Sequence, residues 1–211
     1  MNTEALKDLE AEFLEEYPEV FEDERLVKQI KKFNPSKLEE LSKEFFKKDN
    51  FSQPEIICDN FVKIVYKSVV ISFYDKMKLR DAFKELGMYE KDMFSIALYD
   101  LLYGNKKEGY EGIVEILKEY NLAKWTLISL VPYYLNRDKD YFVKPTTAKS
   151  IISYLQLKNL EYKPTPSYEF YQGFKKALDE IKTKIDKSLK AKDNIYLTAF
   201  LRTAIKICEI E

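Results

Sequence analysis

Residues 170–189 read FYQGFKKALDEIKTKIDKSL, and this stretch decides the fold. Phe170, Phe174, Ala177, Leu178, Ile181, Ile185 and Leu189 step by three and four, so a helix of 3.6 residues per turn gathers them on one face. Lys175, Lys176, Lys182, Lys184 and Lys187 keep the outer face in water. An apolar stripe of this kind has to be covered by neighbours of the same type, and the helical period recurs outward in both directions.

Toward the C-terminus, Asp193-Asn194 caps a last helix whose apolar positions are Ile195, Phe200, Leu201, Ala204, Ile205 and Cys208. Toward the N-terminus, Pro164 and Pro166 make residues 159–166 a loop. Pro145 opens a short helix ending near Leu155, and the Tyr141-Phe-Val-Lys segment before it is extended, because a residue preceding proline avoids the helical region. Residues 123–135 (AKWTLISLVPYYL) read as a buried helix that Pro132 kinks or shortens. Helices are predicted over 76–86, 90–103 and 109–120, closed by Gly87, Gly104 and Asn121 at positive φ. Ile56 to Phe73 is apolar on most sides and reads as one central helix, opened by a Ser52–Glu55 capping box with Pro54 in the first turn.

Asn34-Pro35 is an N-cap followed by proline at the first helical position, ahead of Leu38, Leu41, Phe45 and Phe46. Val20, Phe21, Leu26, Val27, Ile30 and Phe33 give a further helix, and Leu6, Leu9, Phe13 and Leu14 give the first, over 3–16. The expectation is an all-α fold: a single globular bundle of nine or ten helices without significant sheet. Residues 1–50 form an acidic helical N-terminal extension packed on the core, and residues 51–211 the main all-helical domain.

The 211 residues are 45% hydrophobic, enough for a real core. The chain has 5 Gly and 7 Pro, which argues against turn-rich β architectures. It has no histidine, which excludes His triads, imidazole general bases and His metal ligands. Cys58 and Cys208 are far apart, which excludes a Cys-based zinc site and suits two small hydrophobes in a reducing compartment. No GxxxxGK[ST], GxGxxG, GxSxG or DxDxDG motif occurs. The N-terminus lacks the basic and apolar regions of a signal peptide, and the apolar stretch Trp125–Leu135 is about half of what a membrane span requires. These features lead to the expectation of a cytoplasmic protein off the membrane, with no catalytic constellation, no cofactor and no metal.

Net charge is −1, but residues 1–24 hold ten acids against Lys7, leaving about +8 on the rest. Three blocks stand above background. In Phe73-Tyr-Asp-Lys-Met-Lys-Leu-Arg80-Asp81, Lys76 and Arg80 are candidates to face a cleft. In Tyr133-Tyr134 … Phe142-Val-Lys144-Pro145-Thr146-Thr147, free amides at a helix start join two hydroxyls and Lys144, so Lys144, Thr146, Thr147 and Tyr133 are candidates to hold an anion. In Tyr162 … Pro166-Ser-Tyr168-Glu-Phe-Tyr171, Tyr162, Tyr168 and Tyr171 either anchor a loop on the core or stack on a ligand.

The order of these blocks resembles a bacterial family of soluble all-helical proteins of uncharacterised function. The carrying residues are Tyr17-Pro-Glu-Val-Phe, Ser72-Phe-Tyr-Asp-Lys-Met, Phe142-Val-Lys-Pro-Thr and Tyr162-Lys-Pro-Thr-Pro-Ser-Tyr-Glu-Phe-Tyr171, spanning most of 17–200. Tyr74-Asp75 stands where a Phe-Glu type pair is expected. The resemblance implies one domain and supplies no catalytic residues. The order Leu135-Asn136, polar turn, Tyr-Phe-Val, new helix also resembles a segment of helix-hairpin-helix glycosylase-like folds, without their Leu-Pro-Gly-Val-Gly hairpin and with Pro145 where an acid is expected. Two functions follow as expectations. The first is a non-enzymatic helical binding or interaction protein with a protein partner. The alternative is a nucleic-acid-associated protein, whose affinity falls steeply with salt.

Overall fold

The chain's first helix starts where Asn2 lends its side-chain oxygen to the N–H groups of Glu4 (3.1 Å) and Ala5 (3.2 Å). This helix, α1, spans Thr3–Glu16 and buries the predicted stripe of Leu6, Leu9 and Phe13. The same logic of cap and stripe builds the rest. The computed structural model describes residues 1–33, 35–191 and 193–209. Among them the chain forms α2 (Glu24–Lys32), α3 (Pro35–Phe45), α4 (Pro54–Lys67), α5 (Phe73–Glu85), α6 (Met88–Tyr103), α7 (Lys106–Glu119), α8 (Trp125–Ile128), α9 (Leu130–Leu135), α10 (Pro145–Tyr154), α11 (Tyr168–Lys184) and α12 (Asn194–Cys208). No strand occurs among the described residues, so the all-α reading holds. None of the described helices is long and apolar enough to cross a membrane.

One core runs from Leu6 to Ile205, and residues 1–50 contribute Leu6, Leu9, Phe13, Leu26, Leu38 and Phe46 to it. α12 is the organising strut, packed against α1, α2 and α10. α6 and α7 form a close antiparallel pair that lies against α4 and α11. Gly109 permits that pairing: a Cβ there would lie 2.5 Å from the Ala97 carbonyl oxygen and closer still to the Leu101 nitrogen, both on α6.

Several local expectations are corrected. Ser52 does not cap α4. It ends a 3-10 segment, Lys48–Ser52, whose own Asp49 carbonyl takes its hydroxyl (2.8 Å), and Gln53 precedes Pro54 without a side-chain cap. The apolar run Ile56–Phe73 is two helices. α4 stops at Lys67, the chain turns at the surface where Val69 is 63% exposed, and Ser72 Oγ accepts the Asp75 N–H (3.1 Å) to start α5. The second helix starts at Glu24 under an Asp23 cap, after a short 3-10 turn over Val20–Glu22.

Gly87 and Gly104 are not left-handed C-caps: Gly87 is the N-cap of α6 at φ −67° and Gly104 sits at φ −120°. Asn121 does adopt φ 51°. Residues 123–135 break at Ser129, one turn ahead of Pro132, as the proline predicts: it has no N–H for the Ile128 carbonyl, while the Ser129 N–H still reaches the Trp125 carbonyl (3.1 Å) and the Tyr133 N–H reaches that of Ser129 (3.2 Å). Ser129 Oγ secures the break by bonding the Trp125 carbonyl (2.7 Å) and accepting the Val143 N–H (2.9 Å). α11 ends at Lys184, although Ile185 and Leu189 stay buried through a 3-10 turn beyond it. Asn34, read as an N-cap, lies outside the described residues.

Candidate functional site

Lys144 is the last residue before α10, held extended (ψ 121°) by the proline that follows it. Its side chain is exposed at the mouth of a small cleft, open to solvent, between α2, α9, α10 and α12. Ile30, Phe33, Phe142, Ile195 and Ala199 make the apolar wall, while Gln29, Thr147, Thr198, Arg202 and Thr203 place polar groups around it. Two cations, Lys144 and Arg202, line this cleft, and a third, Lys206, lies within electrostatic reach of Lys144. Partial burial, then the charges of Arg202 and Lys206, draw the Lys144 amine below the usual lysine range. Among the described residues none of the three forms an ion pair, although 14 ion pairs form elsewhere. The N–H groups of Thr146 and Thr147, in the first turn of α10, add partial positive charge beside them.

The floor of the cleft is fixed by a buried polar network. Asp193 caps α12 through the Ile195 N–H (3.0 Å), and the same Oδ1 accepts the Tyr133 hydroxyl (3.0 Å). Its Oδ2 takes Arg137 Nε (2.7 Å) and Nη2, and Arg137 Nη1 reaches Glu39 on α3 (2.5 Å). Burial works against the Arg137 charge, but Asp193 and Glu39 raise its pKa, so it stays protonated. Asn194 joins the set through the Asp140 carbonyl (3.2 Å) and Lys182 (2.7 Å). Asp193, Arg137 and Glu39 each have an opposite charge within hydrogen-bond reach, which makes the network a brace rather than a reactive centre.

The predicted candidates separate into three places. Lys144, Thr147 and Tyr133 line the cleft, with Tyr133 only 1% exposed, and Thr146 is exposed at the helix start beside them. Tyr171 is inside the core: it donates to Asp140 (3.1 Å), accepts from the Tyr141 N–H (3.3 Å) and stacks on Tyr110. Tyr162 packs on Trp125 and Phe170 under the Lys149 ammonium, and Tyr168 tilts against Tyr110. The loop 159–166 is pinned by Trp125 Nε1, which donates to the Lys163 carbonyl (2.8 Å), so these tyrosines anchor a loop. Lys76 and Arg80 are on α5, and Arg80 is spent on its neighbour Asp81 (2.8 Å).

The sequence reading passed over Arg202 and Lys206. The available signal was the polar stripe Thr198, Arg202, Lys206, spaced by four along an otherwise apolar helix. Residues 136–140 read as a polar turn, and within it Arg137 and Asp140 are bracing partners. No group of acids and cysteines able to hold a metal ion occurs among the described residues. No protein family matches this chain, and no curated protein or solved structure matches it either.

Proposed function

We propose that this is a binding protein whose α2/α9/α10/α12 cleft takes a small organic anion, a carboxylate or phosphate carried on an apolar body. The observation that carries this reading is the pair Lys144 and Arg202 lining an apolar cleft, with Lys206 within electrostatic reach and no ion pair to any of the three among the described residues. Like charges repel, so clustering them without acids costs free energy that a bound anion returns. The braced floor holds the walls in place before the ligand arrives, which lowers the entropic cost of binding. Resemblance to the bacterial helical family and a cytoplasmic setting belong to the same proposal, and nothing in it requires catalysis.

A nucleic acid is the weaker occupant. Three cations neutralise few phosphates, and Asp8 and Glu12 of α1 lie within electrostatic reach of Tyr154 at the end of α10. The test is a titration with anilinonaphthalene sulfonate and with its uncharged relative phenylnaphthylamine. The anion should bind more tightly to the wild type, and Lys144→Gln with Arg202→Gln should weaken it about tenfold while leaving the neutral dye unchanged. Equal binding of both dyes, or an anion affinity untouched by the double change, would end the proposal.

A further inference from the structure

Among the described residues the large exposed apolar side chains fall within 56–103, and five of them stand on α6: Met88, Tyr89, Met93, Ile96 and Tyr103. Tyr89, Met93, Ile96 and Tyr103 are spaced by 4, 3 and 7 residues, so they form one stripe, about 21 Å long at 1.5 Å per residue. The opposite face, with Phe94, Ala97, Leu98 and Leu101, is already in the core. α6 is thus apolar on two faces and covered on one, with Tyr89 74% and Ile96 57% exposed. Beside the stripe runs a shallow groove between Tyr89, Met93, Ile116 and Tyr120.

The two ends of this stripe differ in charge: glutamates cluster at the Tyr89 end, and lysines outnumber the acids Asp49 and Asp100 at the Tyr103 end. At the Tyr89 end three carboxylates surround the Tyr120 phenol, whose pKa is raised by burial and by Glu90, Glu85 and Glu119. At the Tyr103 end Lys48 Nζ lies 5.3 Å from the Tyr103 ring, Lys47 precedes it, and Lys106 opens α7. Among the described residues, Glu85, Glu90, Glu119, Lys47, Lys48 and Lys106 form no ion pair. Asp100 interrupts the stripe and Asp92 flanks it, both half-buried.

We infer that this face docks a second copy of the chain, α6 against α6 in antiparallel register about a two-fold axis. That arrangement sets the acidic end of each stripe on the basic end of the other, and Ile96 near Ile96. A basic helix from another protein satisfies only the acidic end and is repelled by Lys48 and Lys106. A two-fold contact requires a self-complementary patch, and opposite charges at the ends of one stripe supply it. A strip this narrow falls at the low end of interface areas, so the dimer is weak.

The experiment is sedimentation equilibrium of the full chain up to about 100 µM, with circular dichroism to confirm that each variant folds. The mass should rise from 25.1 kDa toward twice that value with concentration. Met93→Ser with Ile96→Ser should weaken association about tenfold or more. Glu85→Lys with Glu119→Lys should weaken it, Lys48→Glu with Lys106→Glu should do the same, and the fourfold charge exchange should restore it. A monomer at every concentration, or a fourfold variant no better than either half, overturns the inference.

Discussion

Two buried tyrosines in contact have opposite hydrogen-bond accounts. Tyr110 and Tyr171 stack with centroids 5.7 Å apart, yet the Tyr110 hydroxyl has no partner among the described residues while that of Tyr171 has two. A buried hydroxyl without a bond costs its desolvation, so Tyr110→Phe should leave stability unchanged or raise it by about 1 kcal/mol. Tyr171→Phe should cost about 1–3 kcal/mol, because it strips one bond from buried Asp140 and leaves the Tyr141 N–H unpaired. Urea midpoints of the two variants moving in the same direction by the same amount would refute this accounting. Lys182 is a further case at this scale. Its place on the outer face of the stripe reads as free solvent, but its ammonium holds the Asn194 side-chain oxygen at 2.7 Å, and Asn194 is 1% exposed. Lys182→Ala should therefore cost about 1 kcal/mol rather than nothing, against about 2–5 kcal/mol for Phe174→Ala or Ile181→Ala on the buried side. A thermal-shift series in which Lys182→Ala matches the wild type would place that bond outside the energetics.

Between elements, the decisive approach is α6 on α7. Gly109→Ala drives a methyl into the α6 backbone, which cannot step aside as a flexible side chain does, and should cost about 3 kcal/mol or more. Gly112→Ala, on the same helix, meets only the Ala97 Cβ at 3.0 Å. There the helix gains of roughly 1 kcal/mol from losing a glycine offset the squeeze, leaving stability near wild type. Similar unfolding midpoints for the two variants would show that the pair is looser than drawn. Neither glycine is at positive φ, so the sequence alone gives no reason to separate them from Gly87 or Gly104. That is the general division in this chain. Periodicity displays stripes, so α1, α11 and α12 were legible, as were the proline-opened α10 and the extended lead into it. Periodicity does not display where an apolar run crosses a surface turn, so the α4–α5 break was hidden behind continuous β-branched residues. Of the cleft, Lys144 and Thr147 could be read from Pro145, because a helix start is a local feature. Arg202 and Lys206 come from about sixty residues away in sequence, and only the packing of α12 on α10 brings them near Lys144.

For the whole molecule, the absence of histidine shapes the response to pH. Glu39 illustrates the acid limb. Burial alone would raise its pKa, but bonds from Lys43 and Arg137 hold it below the ordinary 4.5. A depressed carboxylate contributes stability above its unfolded pKa and loses that contribution as pH falls through the folded value. Stability should therefore decline below about pH 4.5. The alkaline limb has the opposite sign. Burial raises the phenols of Tyr110, Tyr133, Tyr134, Tyr141 and Tyr171, with Tyr134 pushed up to about 12 from 10.0, and raises the Cys58 thiol to about 12 from 9.0. Groups kept neutral by the fold stabilise it below their unfolded pKa, and that contribution is lost as pH climbs through the folded values. Lys76 and Lys144, held low by burial, work in the other direction, but they are two groups at the surface against six inside. The urea midpoint should thus be flat from about pH 5 to about pH 9 and fall on both sides. The buried phenols should ionise together with unfolding rather than one by one. The check is near-ultraviolet phenolate absorbance followed beside far-ultraviolet circular dichroism through an alkaline titration. If these five phenols titrate smoothly while the helical signal stays intact, the core is open to hydroxide. The braced floor under Lys144, which depends on neutral Tyr133 and Tyr171, would then be wrongly drawn.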